Sequence, residues 1–160
     1  MNSFYETKGL IFPYKDKKWG LISIYSDSHE EYINKDVLSV LSEIGCESYL
    51  SLQFWDITEG MYNSEDFMLT FPQAVLFKDE QADSIVSFID SMHNKQEEVF
   101  LIAHCDAGVS RSGAVGQFVV DYCGLDYFDF KKNNNVHPNQ YVLGKLREKS
   151  GYYRKMFKYD

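Results

Sequence analysis

The chain has 160 residues, a formal net charge of −8 at pH 7 and 16% aromatic residues, so we expect one domain over residues 1–160. The acidic balance argues against nucleic acid and anionic membranes as partners, because both favour clusters of Lys and Arg. No apolar stretch approaches the roughly 20 residues that cross a bilayer. The opening residues lack the features of a secretion signal, and we therefore expect a cytoplasmic protein.

The first half of the chain predicts a strand-helix-strand unit. Its apolar runs indicate an edge strand at Leu10–Phe12, a strand at Trp19–Tyr25, a helix between Asp36 and Gly45, and a half-buried strand at Leu50–Trp55. A crossover of this kind joins two parallel strands with a right-handed connection. We therefore expect a parallel sheet in this part of the fold.

A buried strand between two helices is predicted in the second half. Asp79 is placed to act as the N-cap of the first helix. The uninterrupted apolar run Val99–Ala103 predicts the strand. After Arg111, apolar residues recur at helical spacing until Gly124, which is placed to end the second helix.

The C-terminal part predicts an exposed loop followed by a last helix. Lys131–Asn135 is a polar run typical of a loop, Pro138 is placed in the first turn of the helix, and Gly151 is placed at its end. The complete pattern predicts an α/β fold of three layers, in which a central, mostly parallel sheet is flanked by helices.

The run His104–Ser112 lies where the buried strand meets the second helix, and it specifies a chemistry. The first backbone N–H groups of a helix have no partner inside the helix, and anions bind there. Arg111 can contact two phosphate oxygens with its planar guanidinium. We predict that phosphate is bound by the consecutive residues Asp106, Ala107, Gly108, Val109, Ser110 and Arg111, with glycine allowing the close approach.

Cys105 is the candidate nucleophile of this loop. Helix N-termini and nearby cations lower cysteine pKa values to about 3.5–7.5, so we expect a thiolate that attacks phosphorus and forms a phosphocysteine. Ser112 is placed to give its hydroxyl proton to the sulfur when water releases the phosphate. His104 is expected to support the loop through hydrogen bonds of its ring.

The run His104–Ser112 resembles the signature H-C-x5-R-[ST] of the protein tyrosine phosphatase superfamily at every defining position. The late position of Cys105 argues against the low-molecular-weight phosphatases, whose signature lies near the N-terminus. The short chain is similar to the compact, dual-specificity-like branch that includes bacterial and phage members. This resemblance implies a protein tyrosine phosphatase-like fold and the hydrolysis of phosphate monoesters.

In this superfamily an aspartic acid on a separate upstream loop protonates the leaving oxygen. We predict that Asp56 has this role, because it follows the half-buried strand and because Leu52–Ile57 looks like the segment that leads into the acid loop of bacterial and phage members. Asp66 and Asp79 remain alternatives, since both lie closer to the cysteine in sequence. Asp79 has the second explanation of a helix N-cap.

The resemblance also bears on substrate and partners. The variable positions of the loop contain no lysine, which disfavours inositol phospholipids. We expect a phosphorylated protein or a small aryl phosphate as substrate, with hydrolysis of phosphotyrosine and room for phosphoserine or phosphothreonine. Asp106 is expected to point outward and to present only its N–H group to the phosphate. We expect a monomer that needs no cofactor.

The cysteines and histidines predict neither a disulfide framework nor a metal site. Cys46, Cys105 and Cys123 are irregularly spaced, and the four histidines are scattered. Cys123 is interpreted as a core residue, since it lies about three turns along the helix that follows Cys105. Cys46 remains an alternative partner that resolves an oxidised Cys105.

Two other function classes stay open from the sequence alone. One is a phosphate-binding module, or pseudophosphatase, that holds a phosphorylated partner without turnover. The other is a sulfur-transfer or arsenate-reducing enzyme, because such enzymes also place a cysteine in an anion-binding loop. The complete set of His104, Arg111 and Ser112 and the lack of a cysteine relay argue against the latter.

Overall fold

The computed structural model describes residues 18–26, 35–94, 99–133 and 135–152. The predicted edge strand at Leu10–Phe12 lies outside these residues.

The described part of the chain folds around a small parallel sheet. Its strands are β1 (Lys18–Tyr25), β2 (Cys46–Gln53) and β3 (Val99–His104), in the order β2-β1-β3. β1 is the central strand and pairs in parallel with both neighbours. The predicted α/β class and the parallel strand-helix-strand unit are confirmed.

Helices fill the connections between these strands and follow the last of them. In chain order they are α1 (Lys35–Glu43), α2 (Glu59–Tyr62), α3 (Glu65–Thr70), α4 (Asp79–His93), α5 (Arg111–Cys123), α6 (Tyr127–Asn133) and α7 (Gln140–Lys149). The helix predicted after Arg111 is confirmed, and Gly124 caps it with φ 66° and ψ 35°.

The prediction that Asp79 caps α4 is wrong. The N-cap is Lys78, which has extended backbone, and Asp79 is the first helical residue. The Asp79 carboxylate lies 2.7 Å from the Nζ atom of Lys145 and 3.1 Å from that of Lys149. An acidic side chain is favourable in the first turn of a helix. Asp79 therefore does mark the helix start, but one position later than the N-cap.

Two predictions for the C-terminal part also need correction. Lys131 and Lys132, which were assigned to a loop, lie in α6. Pro138 precedes the last helix instead of opening it, because Asn139 is the N-cap of α7. The Asn139 side chain accepts hydrogen bonds from two backbone N–H groups of the first turn. The helix therefore begins after Asn139, and Pro138 lies outside it.

Both faces of β1 are buried. Ile22 and Ile24 point to one face, where they pack in a large core with residues of α4, α5 and α7. Trp19 and Leu21 point to the other face and pack against Leu41 of α1. Successive side chains of a strand alternate between faces, so one strand supports helices on both sides of the sheet.

In this arrangement the connections after β1 and β3 diverge at the carboxyl ends of these two strands. β1 leads toward α1 on one face, whereas β3 leads into α5 on the other face. Ligands of open α/β sheets bind where neighbouring strands continue to opposite faces. The candidate site therefore lies at the edge where the His104–Ser112 run begins. Within the described residues no helix combines the length and the apolar character that a membrane crossing needs.

Candidate active site

The loop between β3 and α5 leads into the first turn of α5. Gly108 has φ 68°, a left-handed conformation that other residues rarely adopt, and a Cβ atom there would meet nothing within 4 Å. The need for glycine at this position is therefore conformational rather than steric. The turn brings the loop back toward the sulfur of Cys105, where the N–H groups of Gly108 and Ser112 donate to it.

Cys105 is buried, with 4% of its surface exposed. Burial by itself raises the pKa of the Cys105 thiol. Hydrogen bonds from the Ser112 hydroxyl, from the N–H groups of Ser112 and Gly108, and the charge of Arg111 outweigh that effect and lower the pKa. The Sγ atom lies 3.2 Å from the Ser112 Oγ atom. The surroundings of Cys105 thus favour a thiolate.

Arg111 is held beside this sulfur by three acceptors of the protein. Its Nη1 atom donates to the carbonyl of Phe54 at 2.7 Å and to the Oγ atom of Ser26 at 2.9 Å. Its Nη2 atom donates to the Oδ2 atom of Asp106 at 2.7 Å. Only 5% of the Arg111 side chain is exposed, so its charge acts with little screening by water.

Ser26 and Asp106 form a clasp around the end of the guanidinium. The Ser26 hydroxyl donates to the same Asp106 Oδ2 atom at 2.9 Å, which closes a ring of hydrogen bonds with Arg111. Burial raises the pKa of Asp106, but hydrogen bonds from Arg111 and Ser26 lower it overall. The expectation that Asp106 points outward is half right, because 61% of its side chain is exposed while its carboxylate is bonded to Arg111.

Not all donors of the guanidinium are used by the described residues. Arginine carries five N–H donors, of which three are used by Ser26, Phe54 and Asp106. The Nε atom of Arg111 is buried and has no hydrogen-bond partner within the described residues. The Asp106 contact uses one of the two Nη2 hydrogens. The Nε–H and an Nη2–H group of an arginine can together make a bidentate contact with two phosphate oxygens.

Asp56 lies directly beside the loop, on the connection after β2. Its Oδ1 atom accepts hydrogen bonds from the Ser110 Oγ atom and from the Asn139 Nδ2 atom, both at 2.8 Å. Backbone bonds from Phe54 to Tyr25 at 3.0 Å and from Trp55 to Val75 at 2.7 Å hold the segment that leads to it.

The alternative acids are placed elsewhere. Asp66 lies in the exposed first turn of α3, and no described hydrogen bond or ion pair joins its carboxylate to the nucleophile loop. Asp79 is engaged with Lys145 and Lys149. Of the three acids weighed from the sequence, Asp56 is the one that contacts the loop.

His104 is the last residue of β3 and is half-buried. Burial lowers the pKa of its imidazole, and the negative charge of Asp106 only partly opposes this effect. Among the described residues the ring makes no hydrogen bond, so its supporting role in the loop stays a prediction. Burial thus disfavours a charged imidazole at His104.

The other cysteines lie away from the sulfur of Cys105. Cys46 is level with Phe100 across the sheet, since both pair with Trp19. Five residues of strand therefore separate it from Cys105, which is roughly 16 Å at about 3.3 Å per residue and too far for a disulfide. Cys123 is the last residue of α5 and packs against the main core. All three thiols are free.

Ser26 and Asn139 are site residues that sequence reasoning missed. Ser26 follows β1 at the same sheet edge as the nucleophile loop, so its position after a strand was a usable signal. Asn139 carried the signal of an N-cap before a helix. In the described part of the chain no group of three or more His, Cys, Asp or Glu side chains is arranged to hold a metal ion.

Comparisons with known proteins add no family assignment. No protein-family model matches the chain, and neither a curated sequence nor a solved structure is detectably similar to it. The resemblance to the protein tyrosine phosphatase superfamily therefore depends on the residues that carry it in the sequence.

Proposed function

We propose that this chain is a cysteine-dependent phosphatase that hydrolyses phosphate monoesters through a phosphocysteine. The observation that carries the proposal is the loop in which a buried Cys105 with a lowered pKa lies beside a buried Arg111 whose Nε atom has no partner among the described residues. A thiolate nucleophile and a bidentate anion contact are the groups that phosphoryl transfer needs.

The first step transfers the phosphoryl group to sulfur. The Cys105 Sγ atom attacks phosphorus while the bond from phosphorus to the leaving oxygen breaks. Arg111 and the loop N–H groups stabilise the charge on the remaining phosphate oxygens. Asp56 gives its proton to the leaving oxygen, a role that its position beside Ser110 supports.

The second step returns the enzyme to its starting state. Water attacks phosphorus, the Asp56 carboxylate accepts a proton from that water, and the bond between sulfur and phosphorus breaks. Ser112 lies 3.2 Å from the Sγ atom and stabilises the departing thiolate with its hydroxyl. Inorganic phosphate then leaves from the loop.

The fold and the composition support a finer assignment. Helices on both faces of a parallel sheet, with the cysteine loop after β3, fit a three-layer, protein tyrosine phosphatase-like domain. The proposed substrates are phosphotyrosine in proteins and small aryl phosphates, with phosphoserine and phosphothreonine as further candidates for a dual-specificity enzyme. We propose a cytoplasmic monomer that acts without a cofactor, on neither nucleic acid nor membranes.

Hydrolysis of p-nitrophenyl phosphate by the wild type, Cys105→Ser and Cys123→Ser tests this proposal. Cys123→Ser is the matched control, because it also replaces a free thiol but lies at the far end of α5. We expect turnover in the wild type and the control, inhibition by vanadate, and no turnover in Cys105→Ser. Activity that survives Cys105→Ser would exclude the mechanism, and a silent wild type that binds vanadate tightly would identify a pseudophosphatase.

A further inference from the structure

The Asp56 carboxylate is held by a second residue outside the nucleophile loop. The Nδ2 atom of Asn139 donates to the Asp56 Oδ1 atom at 2.8 Å and lies 3.5 Å from the carbonyl oxygen of Ile57. Ser110 donates to the same Oδ1 atom at 2.8 Å. The two donors converge on one carboxylate oxygen and leave the Oδ2 atom without a described partner.

The side-chain amide of Asn139 is held in one orientation and cannot flip. Its Oδ1 atom accepts hydrogen bonds from the backbone N–H groups of Tyr141 at 3.0 Å and Val142 at 3.1 Å, as the N-cap of α7. A flipped amide would present its NH₂ group to these two donors, which would leave two N–H groups of the helix without acceptors. The helix start therefore directs the Nδ2 atom toward Asp56.

Asn139 is also joined to the nucleophile loop through its backbone. Its N–H group donates to the carbonyl of Ser110 at 3.1 Å, and the N–H group of His137 donates to the carbonyl of Val109 at 3.1 Å. The acid, the loop and the start of α7 thus form one hydrogen-bonded unit.

This unit rests on tightly packed elements. A Cβ atom at Gly113 of α5 would lie 3.0 Å from the Val136 side chain, so glycine permits the close approach of the segment that leads to Asn139. On the other side, Val142 and Leu146 of α7 are fully buried in the main core. Neighbours on both sides leave Asn139 little freedom to move.

We propose that Asn139 is a positioning residue for the general acid Asp56, an inference that rests on the proposed phosphatase function. With both donors bonded to the Oδ1 atom, this atom acts as the carbonyl oxygen of the acid, and the Oδ2 atom carries the proton. As the bond from sulfur to phosphorus forms and the bond to the leaving oxygen breaks, the proton moves from Oδ2 to that oxygen. The hydrogen bonds to Oδ1 then stabilise the carboxylate that results.

The simpler explanation is that Asn139 only caps a helix, and Asn139→Ser separates the two roles. Serine is an equally good N-cap, so α7 retains its start. It has no NH₂ group to donate to Asp56. A residue that only caps the helix would tolerate this change, whereas a residue that positions the acid would not.

The experiment compares Asn139→Ser with the wild type on p-nitrophenyl phosphate and on an alkyl phosphate, with Asp56→Asn and Asp66→Asn as references. Departure of the alkyl leaving group depends on its protonation by a general acid, whereas nitrophenolate leaves almost without it. We expect the kcat/KM of Asn139→Ser for the alkyl phosphate to fall about tenfold, as part of the roughly 10²–10⁴-fold contribution of general acid catalysis. The kcat/KM for the nitrophenyl ester should change far less, and Asp66→Asn should behave as the wild type.

A second variant gives an independent readout. Asn139→Asp retains the cap, removes the NH₂ donor and places a carboxylate next to Asp56, which repels the ionised form of the acid. The basic limb of the pH profile of kcat should therefore move to higher pH. An unmoved limb would show that the side chain at position 139 does not contact the general acid.

The outcomes distinguish the inference from the function on which it rests. Equal losses on both substrates in Asn139→Ser, or no loss on either, would overturn the positioning role while the phosphatase remains. A wild type without turnover of p-nitrophenyl phosphate would overturn the phosphatase and the positioning role with it. Thermal melting of each variant shows whether it folds. If Asn139→Ser does not fold, Asn139→Asp provides the test, and an unmoved basic limb in that variant would overturn the proposal.

Discussion

Replacing Ser26 with alanine removes one member of the clasp that holds Arg111. The Ser26 hydroxyl accepts from the Arg111 Nη1 atom and donates to the Asp106 Oδ2 atom, each at 2.9 Å. After the change Nη1 retains the Phe54 carbonyl and Nη2 retains Asp106, but the ring of hydrogen bonds is open. We expect the guanidinium to sample other orientations and to meet an oxyanion less often with its Nε edge.

The size of the effect follows from the hydrogen bonds that are lost. A hydrogen bond to a charged group contributes roughly 1.5–3 kcal/mol. Ser26 is half-buried and water can replace part of its contact, so we expect a loss near the lower end, about 1.5 kcal/mol. Since about 1.4 kcal/mol corresponds to a factor of ten, oxyanion binding should weaken about tenfold.

The assay is the dissociation constant of vanadate or tungstate, measured alongside KM for p-nitrophenyl phosphate. Ser26→Thr retains the hydroxyl and should restore binding. Ser91→Ala is the matched control, because the exposed Ser91 hydroxyl donates only to the carbonyl of Phe88 in its own helix. If Ser26→Ala binds the oxyanions as tightly as the wild type does, the clasp has no part in anion binding and the reasoning is wrong.

Two further predictions concern the nucleophile and the core. Ser112→Ala removes the hydroxyl whose hydrogen bond is the largest influence that lowers the pKa of Cys105. The thiol protonates as the pH falls through its pKa. The pH dependence of inactivation by iodoacetamide and the acid limb of kcat/KM should therefore both move to higher pH in this variant. An unchanged limb would contradict the role given to Ser112. Phe118→Ala empties a fully buried position in the main core and should lower the free energy of unfolding by about 3–5 kcal/mol in urea denaturation, whereas a loss below about 1 kcal/mol would show that the site collapses around the gap.

The elements that the sequence predicted well are those with strong local patterns. The strand Val99–His104 contains the apolar run Val99–Ala103, and the helix that follows ends at Gly124 in the left-handed conformation. Errors arose where two local signals compete within a few residues. Pro138 and Asn139 both favour a helix start, and the side-chain hydrogen bonds of Asn139 decided between them.

The candidate site likewise combines residues that a local sequence pattern predicts with residues that only the fold brings together. Cys105, Arg111 and Ser112 lie within eight consecutive residues, so a strand-loop-helix junction brings them together whatever the rest of the fold does. Asp56 was placed by the expectation that parallel strands end at the same edge of the sheet and by the resemblance of Leu52–Ile57 to an acid-loop segment. Its choice over Asp66 needed the contact with Ser110, 54 positions away in sequence.

The sequence by itself was enough to predict the proposed chemistry, because anion binding and thiolate formation depend on backbone N–H groups and side chains that are neighbours along the chain. Only the tertiary structure decided which distant groups serve that chemistry. Ser26 meets Arg111 across 85 positions and Asn139 meets Asp56 across 83, since the order β2-β1-β3 and the packing of α7 bring these chain segments to one edge. Contacts of this kind depend on the three-dimensional arrangement of strands and helices, which no local pattern of residues encodes.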